Sequence, residues 1–287
     1  MPINHKPAVL LITSEVVRGA VGGRAAGFAL ERLGFPVWRV HTVTLPWHPG
    51  HGSAGRIIPR EADFVALLED LARAPWLGEI GGIMTGYIGT ADQAAPIAKL
   101  VDAVKAIRPD ALYLCDPVMG DNGALYVPEA NAAAIRHHLV PRADILTPNL
   151  TELGFLSGAA VEGRHGAIAT ARSLSVPRVA VTSAIRDERE TETLLVSAGQ
   201  VLSARHRLFG GPVPHGTGDL FAGLLLGRLL AGKSEDTALA KSSAALVDLI
   251  AVAHEQGCDE LPLAACQDSL VAPKAKVSIL DEAALET

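Results

Sequence analysis

AVLLITSEVVRGAVGGRAAGFALERLGFPVWRVHTV, residues 8–43, is the stretch that decides the fold. Its first six residues, AVLLIT, are an unbroken apolar run rich in branched side chains. Such a run predicts a strand buried on both faces, because a strand with one wet face alternates. Residues 14–23 carry Gly19, Gly22 and Gly23 and predict a loop. Residues 24–33 predict a helix that stops at Gly34, a natural C-cap. Residues 37–43 predict a second strand. Strand, loop, helix and strand make a βαβ unit, which requires a parallel sheet.

The alternation continues along the chain. Residues 61–74 predict a helix, with Phe64, Leu67, Leu68 and Leu71 on one apolar stripe. Residues 80–84 predict a strand ending in Thr85-Gly86-Tyr87, and residues 92–107 a helix. The strand predicted over 111–115 ends in Asp116-Pro117-Val118-Met119-Gly120-Asp121. A helix over 128–138 and a short strand at 145–146 follow, the strand running into Thr147-Pro148-Asn149. After more helix comes a strand at 178–182. Residues 191–208 show β-branched alternation and predict an antiparallel hairpin. Helices are predicted over 219–231 and 234–254. The expectation is a mostly parallel sheet with helices on both faces. Without internal repeats or a low-complexity linker, residues 1–287 read as a single domain. The Pro/His/Gly segment TLPWHPGHGSAG, residues 44–55, reads as a functional loop or lid. The polar residues after 272 read as edge cover or disorder.

Bulk composition narrows the function. Hydrophobic residues make up 49% of the chain and aromatics only 4%, so aliphatic side chains must fill the core. A net charge of −6 argues against binding nucleic acid through phosphate contacts. Cys115, Cys258 and Cys266 form no CxxC pair, which suggests neither a disulfide framework nor a zinc site and fits a reducing cytoplasm. Residues 1–7 lack the apolar core of a signal peptide. The most apolar late stretches contain Arg228 and Asp248, so no membrane span is expected.

Polar residues follow the predicted strands: Ser14, Tyr87, Asp116 and Asn149. In open α/β sheets ligands bind beyond the carboxyl ends of the strands, so these residues can share one crevice. The segment HGTGDLFAGLLLG, residues 215–227, is the strongest single signal. Gly216-Thr217-Gly218 lets backbone approach a ligand, and the helix that follows aims free N–H groups at the same spot, which suits a transferring phosphoryl group. Asp219 at the helix start can accept the proton of an attacking hydroxyl, or it can simply be an N-cap. Asp116, Asn149 and Glu152 are oxygen donors of the kind that hold Mg²⁺ on nucleotide phosphates, or they are turn and capping residues. His48 and His51 form an HxxH too isolated to indicate a metal site, and His137 and His138 point in different directions on a helix. Gly19, Gly22 and Gly23 do not fit a dinucleotide fingerprint.

Taken together, five segments resemble the pyridoxal kinases of the ribokinase-like superfamily. They are SEVVRGAVGGRAAGFALERLGF (14–35), TGYIG (85–89), CDPVMGDNGALYVPE (115–129), LTPNLTE (146–152) and GTGDLFAGLLL (216–226). The resemblance implies a ribokinase-like three-layer α/β/α sandwich with a mostly parallel central sheet and a short antiparallel edge. It implies that Asp219 is the base and that Gly216, Thr217 and Gly218 form the anion hole. Ser14, Val21, Thr44, His48, Pro49 and Tyr87 would surround the vitamer. Asp116, Thr147, Asn149, Glu152, Thr182 and Gly218 would hold ATP, with Asp116, Thr147 and Glu152 at the metal. It further implies Mg²⁺, often with K⁺, and a homodimer. The chain departs from the family at Glu15, where relatives often have His or Gln, and at Gly23, where Asn is usual. The largest departure is LPWHPGHG, residues 45–52, where Pro49 replaces a substrate-contacting Thr and His51 a Tyr.

Three other readings remain open. A hydroxymethylpyrimidine kinase on the same fold would carry Cys where Asp219 stands. A sugar kinase would carry an extended β-lid. A vitamer-binding protein without turnover would keep the crevice alone.

Overall fold

A computed structural model of the chain describes residues 6–186, 190–211 and 213–281. The opening unit is β1 (Ala8–Val16), α1 (Gly23–Arg32) and β2 (Val37–Leu45). It is followed by α2 (Glu61–Ala72), β3 (Ile80–Thr85), α3 (Ala94–Ile107) and β4 (Leu112–Cys115). A two-strand hairpin, β5 (Gly120–Asp121) and β6 (Ala124–Leu125), precedes α4 (Glu129–Ala134) and β7 (Ile145–Leu146). Then come α5 (Leu150–Ser157), α6 (Gly163–Ser173), β8 (Arg178–Arg186), β9 (Glu190–Ser197) and β10 (Gln200–Arg207). The chain continues with α7 (Thr217–Leu230), α8 (Glu235–Gln256), α9 (Gln267–Val271) and β11 (Ser278–Asp281).

The main sheet runs β11-β10-β9-β8-β7-β4-β3-β1-β2. Strands β2 to β8 in that order pair in parallel, and β9, β10 and β11 add an antiparallel edge. The apolar run that opens the chain serves both faces, as its composition requires. Leu10 and Ile12 pack with Phe64, Leu68 and Ile97 of α2 and α3, while Val9 and Leu11 pack with Leu30, Phe221 and Leu225 of α1 and α7. The chain leaves β1 for β2 on one side and returns to β3 on the other. That reversal opens a crevice at the carboxyl ends of β1 and β3.

Several local expectations are corrected. β1 continues to Val16, so Ser14 is not beyond the strand. It sits at an irregularity where the β1–β2 register slips between Thr13 and Glu15, and such a bulge re-aims a side chain. Likewise β8 continues past Thr182, which lies where the β8–β9 register shifts between Val181 and Ile185. The hairpin edge gains a third strand, because residues 278–281 pair with β10 and give the edge cover that was one expectation for the tail. The stripe on α2 is narrower than its spacing suggests: Phe64 and Leu68 are buried, but Leu67 is 48% exposed. By length and composition α8 meets the requirement for a membrane-crossing helix, yet half of its apolar window is buried inside the fold against α7 and β10.

α7 is apolar nearly all round because it is wedged between α1, α8 and the sheet. Gly223 and Gly227, one turn apart, let α1 come close. A Cβ at 223 would lie 2.9 Å from the Ala26 carbonyl oxygen, and one at 227 would lie 2.7 Å from Leu33 Cδ1. This contact brings the start of α1 against the start of α7.

Candidate active site

α7 starts two residues earlier than its apolar pattern suggests. Gly216 is its N-cap, with φ 90°, and Asp219 falls within its first turn. Asp219 is therefore not the capping residue. The N-cap makes no side-chain hydrogen bond, and among the described residues a Cβ at Gly218 would meet nothing within 4 Å. The N–H groups of Thr217 and Gly218 lie at this end with the helix dipole behind them, an arrangement that favours an anion. Glycine is required at 216, since any Cβ there would collide with the carbonyl oxygen of Ala20.

Burial pushes the Asp219 carboxyl up to about 6, while the N–H groups of Gly22 and of Asp219 itself draw it back. A base with that poise is ionised at neutral pH yet able to hold a proton. Gly22, at φ 56°, is pinned against Ser14, whose carbonyl oxygen a Cβ would meet at 2.6 Å. Ser14, buried Val21 and Asp219 are thereby gathered at the switch point.

A second group lies at the ends of β4 and β7. Thr147 Oγ1 donates to Asp116 Oδ1 at 2.7 Å, and both residues are buried. Asn149 caps α5 by accepting the Glu152 N–H at 2.9 Å, while Glu152 Oε2 accepts the Asn149 N–H at 2.9 Å. The capping alternative is thus correct for both residues as far as it goes. Glu152 does more: its Oε1 accepts the N–H of Met119 at 3.0 Å, and Asn149 donates to the Gly120 carbonyl at 2.8 Å. The pair fixes the loop that follows Asp116. Thr182 joins through its N–H to the Pro148 carbonyl at 2.9 Å and its bridge to Asn149.

Burial raises Asp116 well above the usual carboxylate range, and the charges of Glu152 and Asp219 raise it further. Burial likewise pushes Glu152 up to about 7, against the pull of its backbone donors. A buried carboxyl raised by two neighbouring carboxylates marks a place where bound positive charge is favourable. Among the described residues no three His, Cys, Asp or Glu side chains form a protein-only metal cage. Asp116, Thr147 and Glu152 present oxygen donors of the kind Mg²⁺ takes, one or two carboxylates with the rest of its shell from phosphates and water.

The 45–52 loop packs on His215, the residue before the glycine motif. His48 Nδ1 accepts the Gly50 N–H at 3.1 Å, and its ring stacks on His215 with centroids 4.0 Å apart. Burial, followed by the neighbouring His215 and His51, lowers the His48 pKa. Pro49 is exposed at the head of a short 3-10 turn, and the Thr44 backbone is paired with Ile57. Tyr87 is half-buried against the core that α2 and α3 cover, its carbonyl accepting the Thr42 hydroxyl at 2.7 Å. Sequence reasoning missed His215, and it missed Glu260, which bonds His51 Nε2 at 3.0 Å. The signal for His215 was its position directly before the glycine motif. Glu260 carries no local signal.

A mostly parallel sheet extended by antiparallel strands, with a glycine-capped helix aimed at its carboxyl end, is the architecture of a ribokinase-like small-molecule kinase. Residues 75–263 match the phosphomethylpyrimidine kinase family model. The pyridoxal kinase PdxY of Deinococcus radiodurans is 36% identical over 278 residues, covering 93% of each chain. That of Rubrobacter xylanophilus is 34% identical, covering 94% of this chain and 96% of its own. The pyridoxal kinase of Leishmania donovani in complex with ADP and pyridoxamine superposes with a TM-score of 0.89 at 30% identity, covering 96% of this chain and 99% of that one. The chain belongs to the pyridoxal kinase family.

Proposed function

We propose that the protein transfers the γ-phosphoryl group of ATP to the 5′-hydroxymethyl oxygen of pyridoxal, and of pyridoxine and pyridoxamine, giving the 5′-phosphate and ADP. The observation that carries this is the Asp219 carboxyl, raised to about 6, beside the uncapped first turn of α7. The vitamer hydroxyl oxygen bonds to the γ-phosphorus as the bond to the β,γ-bridging oxygen breaks, and Asp219 takes the hydroxyl proton. The N–H groups of Thr217 and Gly218 stabilise the charge on the transferring group. Ser14, Val21, Thr44, His48 and Tyr87 hold the pyridine ring. With Pro49 exposed and unable to donate a hydrogen bond, the contact from this loop falls to His48.

Asp116, Thr147, Asn149, Glu152, Thr182 and Gly218 hold the nucleotide, with Asp116, Thr147 and Glu152 at the metal. When bound, Mg²⁺ neutralises phosphate charge. K⁺ as a monovalent activator, a homodimer, a single domain over residues 1–287 and a cytoplasmic site of action complete the reading. The three free thiols support that compartment.

The rival substrate is hydroxymethylpyrimidine, in keeping with the name of the matching family model. Asp219, in the place where those kinases carry Cys, favours the vitamer. The test is ADP release with pyridoxal, pyridoxine, pyridoxamine and hydroxymethylpyrimidine, each with Mg-ATP and with or without K⁺. Fastest turnover of pyridoxal is expected. Turnover of hydroxymethylpyrimidine alone would move the substrate to the rival. A thermal shift with vitamer but none with Mg-ATP would favour a binding protein.

A further inference from the structure

Glu260 lies on the segment after α8, outside every motif that marks the site, yet three parts of the crevice converge on it. Its Oε2 accepts the N–H of Ala20. Its Oε1 is 3.0 Å from His51 Nε2 and 3.6 Å from the Arg18 guanidinium. Any side chain at Gly19 would run into the same carboxylate. The residue is 8% exposed, and its backbone bridges His215, whose N–H donates to the Asp259 carbonyl at 3.2 Å.

Each connection leads to the reacting end of the crevice. The Ala20 carbonyl presses on Gly216, the N-cap of α7. Two residues beyond Ala20, the Gly22 N–H reaches the Asp219 carboxyl. His51 leads to the turn at 49–51, and His48, stacked on His215, returns to the residue before Gly216. A buried carboxylate is costly to desolvate, and its hydrogen-bonded partners offset that cost only while they are held in place.

We propose that Glu260 is a positioning residue for phosphoryl transfer. Its carboxylate straps the 18–22 loop and the 49–51 turn against the first turn of α7, and so sets the base, the anion hole and the acceptor relative to one another. It acts through Ala20, Gly216 and Gly22. The proposal rests on the kinase reading above.

Two variants test it. Glu260→Ala removes the strap, whereas Glu260→Gln keeps an oxygen acceptor for Ala20 in the same shape. Because misplacement by about 1 Å costs on the order of 100-fold, kcat should fall by roughly that factor in Glu260→Ala. KM for ATP should move less than about 3-fold, and Glu260→Gln should restore most of the lost kcat. Equal loss of thermal stability in both variants with unchanged kcat per folded molecule would overturn the proposal. Hydrogen exchange, measured without substrate, should quicken in Glu260→Ala over residues 14–24 and 46–53. Unchanged exchange there would refute the strap by itself. A wild-type protein inactive on every B6 vitamer would overturn the kinase reading instead, and the exchange result would still judge Glu260.

Discussion

Replacing Asp219 by Asn should cripple catalysis and strengthen the fold, because the buried carboxyl that serves as base is also costly to keep charged. Burial raises the carboxyl from 3.8 to about 6. A rise of about 2 pK units corresponds to about 3 kcal/mol of unfavourable charge burial, an upper figure because the side chain still borders the open crevice. The sign is fixed by proton uptake. Below about pH 4 the group is protonated in both the folded and the unfolded chain. Between about pH 4 and 6 the folded protein keeps a proton that the unfolded chain loses, so stability falls as pH rises. Above pH 6 the full cost is present. Asn carries no charge and can accept the same two N–H groups through its side-chain oxygen. Urea denaturation should therefore find Asp219→Asn more stable than wild type at pH 8 by up to about 3 kcal/mol, with a smaller margin at pH 5. The same variant should lose about 10²- to 10⁴-fold in kcat, the usual worth of a general base. Wild-type kcat/KM should fall tenfold per pH unit below about 6, and the residual activity of the variant should lack that limb. A folded variant with near-normal turnover would refute Asp219 as base. A variant less stable than wild type at pH 8 would refute the buried-charge argument.

Gly216→Ala combines a positive φ with a collision on the Ala20 carbonyl, so it should destabilise by about 1–3 kcal/mol and lower kcat far more than KM for ATP, as thermal melts and steady-state kinetics would show. Thr147→Val keeps the shape but removes the donor to Asp116, and calorimetric titration should find Mg-ATP binding weakened about 10- to 100-fold with vitamer affinity retained. Asn149→Ala removes the cap of α5 and should cost about 1 kcal/mol by urea denaturation, together with weaker nucleotide binding as the loop after Asp116 loosens.

The parts of the fold that were legible in the sequence are those whose determinants are local. AVLLIT declares a doubly covered strand by its own composition, and Gly216-Thr217-Gly218-Asp219 declares an anion site by its backbone chemistry. The bulge at Ser14 was not legible, because it arises from how β1 pairs with β2. The spacing on α2 marks four apolar positions, but tertiary packing leaves Leu67 in solvent. The Asn149 and Glu152 pair invited two readings, metal-nucleotide donors or caps; the folded chain shows the cap, and adds an anchor for the loop after Asp116 that neither reading contained. Glu260 was invisible because its partners lie 240 and 209 residues away, a pairing no sequence window contains. The C-terminal strand β11 was too short to separate from a polar tail until β10 offered it an edge.

Arg228, near the far end of α7, is buried and donates to the Leu270 carbonyl at 2.8 Å, and burial draws its pKa down to about 10. Gly223 and Gly227 lock the same helix to α1, and Leu230 fills the space left by Gly82 in β3. α7 therefore behaves as an anvil: it is bolted to the frame at its tail, along its flank and against the sheet. A molecule that enters the crevice meets a surface already set. Keeping the acceptor in register with that surface falls to the 18–22 loop and the 49–51 turn, which the Glu260 carboxylate ties to the start of the helix.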